Sequence, residues 1–168
     1  MVGTFLEPDG GGENRGELLE LCAEAGNDLI VGNGFLFDAA MNEVAPNYPD
    51  LNFAITDGVA EPSNVRGMLF KHAEGSYLAG IAAALKTKTN NVGFIGGVDF
   101  PLIHEFEQGF LAGVAEINPD IVVQIGYASV PPDFSGFNDP VKGKEIALAQ
   151  YEAGADIIYH AAGGTGTG

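Results

Sequence analysis

Val92-Gly93-Phe94-Ile95-Gly96-Gly97-Val98-Asp99-Phe100-Pro101-Leu102-Ile103 decides the fold class. An apolar run from Val92 to Ile95 ends on paired glycines, and a helical pattern follows from Leu102 to Ile117. Strand, glycine turn and helix in that order form half of a βαβ unit. The same alternation continues downstream with a strand at Ile121 to Ile125, a helix at Val141 to Ala153 and a strand at Asp156 to Tyr159. Between them, Pro131-Pro132-Asp133-Phe134-Ser135-Gly136 suits neither ladder nor helix and reads as a loop.

Upstream, strands are expected at Val2 to Leu6, Asp28 to Val31, Asn52 to Thr56 and Asn64 to Phe70. The intervening helices are expected at Glu13 to Ala25, Gly34 to Ala45 and about Glu74 to Leu85. The first of these carries Leu18, Leu21 and Cys22 on its apolar face and stops at Gly26, while the second is closed by Pro46. The polar stretch Lys86-Thr87-Lys88-Thr89-Asn90-Asn91 marks the expected lobe boundary, giving a partial N-terminal lobe over 1–88 and a partial C-terminal lobe over 89–168. The chain opens on a strand and stops in the glycine-rich turn Gly163 to Gly168, so it reads as the middle of a longer protein, truncated at both ends.

Composition narrows the function. With 46% hydrophobic and 18% charged residues in 168, the chain is long enough for one domain or two half-domains and is not a disordered tract. A net charge of −16 opposes binding to a phosphate backbone, so nucleic acid is not an expected partner. No apolar run approaches the roughly 20 residues of a spanning helix. No export signal is visible at Met1 to Phe5. Cys22 is the single cysteine and reads as a small buried hydrophobe.

Ligands of open parallel sheets bind at the carboxyl ends of the strands. Here those ends are Glu7-Pro8, Gly32-Asn33-Gly34-Phe35, Asp57-Gly58, Gly97-Val98-Asp99 and Ala162-Gly163-Gly164-Thr165-Gly166, and all but the first pair glycine with polar or acidic groups. Gly32-Asn33-Gly34 lacks the third glycine of a dinucleotide fingerprint, Phe37 standing in its place, and no Gly-Lys-Ser/Thr follows the terminal glycines. No cofactor motif is therefore read. His72, His104 and His160 lie on three elements at no metal-ligand spacing, and neither a nucleophile elbow nor a carboxylate pair on one helix suggests an enzyme. Asp57 has two readings, a turn residue capping the next segment or a charged acceptor for ligand hydroxyl or amino groups. Phe134 and Phe137 have two as well, since a loop aromatic either pins its loop to the core or offers a stacking face to a base.

Six stretches in one order then carry a resemblance: Gly34-Phe35-Leu36-Phe37, Phe53-Ala54-Ile55-Thr56-Asp57, Lys71-His72-Ala73-Glu74-Gly75-Ser76-Tyr77-Leu78-Ala79-Gly80, the opening stretch Val92 to Ile103, Phe137-Asn138-Asp139-Pro140-Val141-Lys142-Gly143-Lys144, and Ala161-Ala162-Gly163-Gly164-Thr165-Gly166. Together they resemble the basic membrane lipoproteins, a group that includes purine nucleoside receptors of spirochaetes. The resemblance implies an α/β, type I periplasmic-binding-protein-like fold with two doubly wound parallel-sheet lobes. It implies a receptor for a nucleoside-like solute, extracytoplasmic and lipid-anchored or periplasmic, serving the membrane permease and ATPase subunits of an ABC-type importer. Asp57 would hydrogen-bond the ligand, Phe134 or Phe137 would stack on its base, and Gly163, Gly164 and Thr165 would line the floor. The family's first strand, with its binding loop, and its final third have no counterpart here. A ligand-sensing regulator on the same fold is the alternative, and it requires a DNA-binding or signalling segment.

Overall fold

The structure, a computed structural model, describes residues 3–9 and 12–168. It falls into two compact units, Met1–Phe70 and Lys71–Gly168, each built on its own three-stranded parallel sheet.

In the first unit β1 (Leu29–Gly32), β2 (Asn52–Thr56) and β3 (Val65–Met68) pair in chain order, with Ile30 opposite Phe53 and Ile55 opposite Gly67. Helices α1 (Arg15–Glu24) and α2 (Asp38–Val44) supply Leu19, Ala23, Met41 and Val44 to a core that holds Ile30, Phe53 and Ile55. Helix α1 differs in phase from the expected face. Leu19 and Ala23, four apart, are buried and Cys22 is partly buried, whereas Leu21 is 48% exposed. Two residues from Leu19 carry a side chain roughly 200° around the helix, which turns Leu21 outward. The strand expected at Val2 to Leu6 does not form over Gly3 to Leu6, and Val2 lies outside the described residues. A strand is fixed by ladder bonds to a neighbour, and among the described residues β1 pairs only with β2.

In the second unit β4 (Asn91–Val98) is central, flanked by β5 (Val122–Ser129) and β6 (Ile157–Ala161). Helices α3 (His72–Lys86) and α4 (Pro101–Ile117) cover one face, where Phe94 meets Phe110 and Tyr159. Helix α5 (Pro140–Glu152) covers the other, and Gln150 donates to the Phe94 carbonyl at 3.1 Å. With helices on both faces, β4 is buried from Val92 to Val98, as central strands of parallel sheets are.

The polar stretch 86–91, expected to part the lobes, is a turn inside this second unit. The Asp156 carboxylate, at the foot of β6, accepts from the Thr87 hydroxyl at 2.7 Å and from the Lys88 and Thr89 amides at 2.6 and 3.3 Å. Those donors, the Lys88 amide foremost, hold the Asp156 carboxyl below its ordinary value of 3.8. A lowered native pKa stabilises the fold above the unfolded value and loses that contribution as pH falls through the native one. Hydrogen exchange at the Lys88 and Thr89 amides is therefore expected to accelerate only below about pH 3.8. Acceleration centred at neutral pH would show that another group holds the turn.

Helices α3 and α4 approach closely through glycine. A Cβ on Gly113 would lie 2.0 Å from the Tyr77 carbonyl oxygen, and one on Gly80 would lie 2.2 Å from that of Phe110. Gly75, on the same helix as Gly80, has nothing within 4 Å of its Cβ position. Gly113→Ala should cost about 1–3 kcal/mol by forcing backbones apart. Gly75→Ala should gain roughly 0.5–1 kcal/mol by lowering unfolded-state entropy. Urea denaturation of the two variants checks the opposed signs.

Candidate functional site

The strand ends expected to bind ligand form one cluster in each unit. In the first, the Thr56 hydroxyl accepts from the Gly34 amide at 2.7 Å and donates to Asn33 Oδ1 at 2.9 Å, tying the carboxyl ends of β1 and β2. Asp57 follows with φ of 58°, a left-handed conformation that asparagine and aspartate tolerate better than most side chains. Its amide donates to the Met68 carbonyl at 2.8 Å, so the β2–β3 ladder extends to this turn before the chain leaves it. Asp57 thus stands at the carboxyl end of the sheet with its side chain half-buried.

Asp38, which the sequence reading gave no role, packs at the same turn. A Cβ on Gly58 would meet its Oδ1 at 2.4 Å, which is why the residue after Asp57 has no side chain. Burial raises the Asp38 carboxyl above its ordinary value, although the Val59 amide partly offsets the shift. The signal in the sequence was Asp38 at the head of a helix four residues after Gly34, but only the fold brings it to Gly58.

In the second unit the carboxyl ends of β4, β5 and β6 converge on the loop around Phe137. The 3-10 turn Ser135–Phe137 lays Phe137 against Gly97, where a Cβ would meet the ring at 2.4 Å. Phe137 also packs on the core, and Phe134 meets Phe100 edge to face with centroids 5.7 Å apart. Both phenylalanines are half-buried. Gly163, at φ of 55°, and Gly164 are exposed beside the Phe137 carbonyl.

Thr165 takes a different place from that expected of a floor residue. It is 0% exposed, its hydroxyl donating to the Gly136 carbonyl at 2.7 Å and accepting from the Asp139 amide at 2.7 Å. With both roles consumed by main chain, Thr165 clasps the Phe137 loop to the Gly163–Gly164 turn and supports the surface from below.

A polar group adjoins this end of the sheet. His104, in the first turn of α4, bonds Asp99 at 2.7 Å and meets Tyr127 edge to face at 5.9 Å. Tyr127 donates its hydroxyl to Glu107, and burial together with that carboxylate raises its pKa strongly. The sequence reading noted His104 only as lying at no metal-ligand spacing and gave Tyr127 and Glu107 no part. Among the described residues no group of three or more His, Cys, Asp or Glu side chains is arranged to hold a metal ion.

Comparison with known proteins places these elements in a family. The family described as ABC transporter substrate-binding protein PnrA-like, Bmp, matches residues 6–168. The chain is 43% identical over 151 residues to a CD4+ T-cell-stimulating antigen of Listeria monocytogenes, covering 89% of this chain and 41% of that protein. It is 44% identical over 146 residues to the ABC transporter nucleoside-binding protein BmpA of Lactococcus lactis, covering 86% and 40%. Among solved structures, a solute-binding protein of an ABC transporter system from Aeropyrum pernix K1 matches with a TM-score of 0.76 at 30% identity, over 90% of this chain and 44% of that one. A transcriptional activator of the comK gene from Bacillus halodurans matches at 0.69 and 25% identity, over 89% and 49%. The chain thus spans well under half the length of the first two relatives.

The Thr165 clasp yields a test. Thr165→Val keeps the shape but leaves the Gly136 carbonyl and the Asp139 amide without their buried partner, at a cost of about 1–3 kcal/mol for each group stranded. Thr165→Ser should retain most of the stability. Thermal melts of the two variants separate loss of the hydroxyl from loss of the methyl.

Proposed function

The chain belongs to the Bmp family of PnrA-like ABC transporter substrate-binding proteins, and from that membership we propose that it forms part of a receptor for purine nucleosides. The observation that carries the reading is the half-buried carboxylate of Asp57, presented by a left-handed turn at the carboxyl end of a parallel sheet. Such an acceptor suits ribose hydroxyls or the amino groups of a base, because a charged acceptor makes the stronger hydrogen bonds. The nucleoside-binding name of the Lactococcus relative supports the ligand class. In the second unit, taken by itself, Phe137 is the stacking residue of this proposal, its ring packed against Gly97 on a loop that Thr165 fixes, while Phe134 is engaged with Phe100. Gly163 and Gly164 allow the ligand to approach backbone. The partners are the permease and ATPase subunits of an importer, and the receptor works outside the cytoplasm, anchored by lipid or held in the periplasm.

A second reading has one observation in its favour, the likeness to the comK activator. A ligand-sensing regulator would use the same strand ends to detect its effector. Because a regulator requires a DNA-binding or signalling segment besides these strand ends, a DNA duplex is titrated into the full-length protein, where the receptor reading expects no binding at physiological salt.

Asp57→Ala should weaken binding of inosine, guanosine or adenosine by about 1.5–3 kcal/mol, the scale of a hydrogen bond to a charged group. The melting temperature should change far less. Calorimetric titration measures the first quantity and a thermal scan the second. Unchanged affinity with a large fall in melting temperature would make Asp57 a turn residue only.

A further inference from the structure

The turn that carries Asp57 is threaded through a slot in the first unit. Gly58 is buried, and a Cβ on it would lie 2.4 Å from Asp38 Oδ1 and 2.6 Å from Ile55 Cδ1. From the other side, a Cβ on Gly67 of β3 would lie 2.6 Å from the Gly58 carbonyl oxygen. We propose that Asp38 and Asn42, on one face of α2, are positioning residues of the ligand site, holding segment 58–61 so that Asp57 keeps the left-handed conformation from which it meets the ligand. Both act through Asp57, and their role rests on the receptor reading of the site.

Spacing carries the assignment. Asp38 and Asn42 are one turn apart on α2, a rise of roughly 6 Å. Val59 and Glu61 are two residues apart in a segment with no regular structure, a span of roughly 6.6 Å when extended. Helix and segment therefore match in pitch. The Val59 amide donates to the Asp38 carboxyl, and the Glu61 amide donates to Asn42 Oδ1 at 2.9 Å. Before this stretch the Asp57 amide donates to the Met68 carbonyl at 2.8 Å. After it, Asn64 Nδ2 donates to the Ala45 and Tyr48 carbonyls at 3.0 Å and to that of Leu51 at 3.2 Å. The chain from Asp57 to Asn64 is thus tied at its start, at two points along α2 and at its end.

An acid in the first turn of a helix ordinarily faces solvent and gains from the helix dipole. Asp38 departs from that pattern, because its Oδ1 is buried and has no hydrogen-bond partner among the described residues. A carboxylate oxygen buried without a donor costs free energy, so helix formation alone gives no reason for it. Its packing on Gly58 does. A smaller side chain at position 38 leaves Gly58 free to shift toward α2, and the turn at Asp57 shifts with it. The slot needs volume and an acceptor from Asp38 rather than charge, since burial disfavours the charged form.

The full-length protein and its variants are titrated with inosine, guanosine and adenosine by calorimetry, and amide exchange is followed by NMR without ligand. Asp38→Ala and Asn42→Ala should each weaken the nucleoside that the wild type binds by about five- to tenfold, the scale of one hydrogen bond lost from the support of the site. Exchange should quicken at the Val59 amide in the first variant and at the Glu61 amide in the second. Asp38→Asn and Asn42→Asp, which keep the shape and an acceptor oxygen, should hold affinity within about twofold of wild type. Glu43→Ala, an exposed change on the same helix, should leave affinity as it is. Full affinity in both alanine variants, or an equal loss in the conservative pair, overturns the proposal. So does a lower melting temperature at unchanged affinity, which assigns Asp38 and Asn42 to folding alone. Wild-type protein that binds none of the three nucleosides instead overturns the receptor reading, and this role with it, even where exchange shows segment 58–61 held by α2.

Discussion

Strand β4 is bare where its neighbours need room, and the second unit is organised by that constraint. Gly93 leaves space for the buried amide of Gln150, Gly96 for the ring of Tyr127, and Gly97 for the ring of Phe137, each with a Cβ position under 2.5 Å from the group it admits. These three groups come from α5, from β5 and from the loop after β5. A side chain at any of the three positions displaces a different layer of the unit. The tight central strand therefore fixes both the covering helix and the aromatic loop at the strand ends.

The first unit reaches a comparable end by hydrogen bonds. Thr56 joins β1 to β2 at their carboxyl ends, and a left-handed turn places Asp57 just beyond them while Gly58 makes room for a second acid, Asp38. Two carboxyl groups at one turn differ in environment. Burial raises the Asp38 carboxyl, and the Val59 amide partly offsets the shift.

Much of this was legible from the amino acids. Strands β1, β2, β4 and β6 follow runs of apolar or β-branched residues, and the turns at Asp57-Gly58 and Gly163-Gly164 follow from residues that accept left-handed backbone. The phase of α1 was less legible because leucines at 18, 19 and 21 point three ways, and only the sheet beneath selects Leu19. The role of Lys86 to Asn91 was hidden because its clasp, Asp156, lies 65 or more residues away in sequence. Thr165 was expected, from the resemblance, to line the floor with Gly163 and Gly164, yet a threonine hydroxyl both donates and accepts, and two main-chain groups of the 136–139 loop claim it. The Tyr127–Glu107 and His104–Asp99 bonds pair residues that periodicity treats as unrelated.

Gln150 gives the second unit a positional key. Its amide donates to the carbonyls of Phe94 and Gln124 at 3.1 and 3.4 Å, and Gln124 in turn donates to Asn91 Oδ1 at 2.8 Å and to the Gln150 carbonyl at 3.2 Å. A purely greasy interface tolerates sliding by a helical turn, but a slide here strands an amide inside the sheet–helix layer at a cost of several hydrogen bonds. Helix α5 is thereby indexed along its axis. Because that helix begins at Pro140, three residues after Phe137, the index mark at its far end sets the height at which the aromatic ring stands over Gly97.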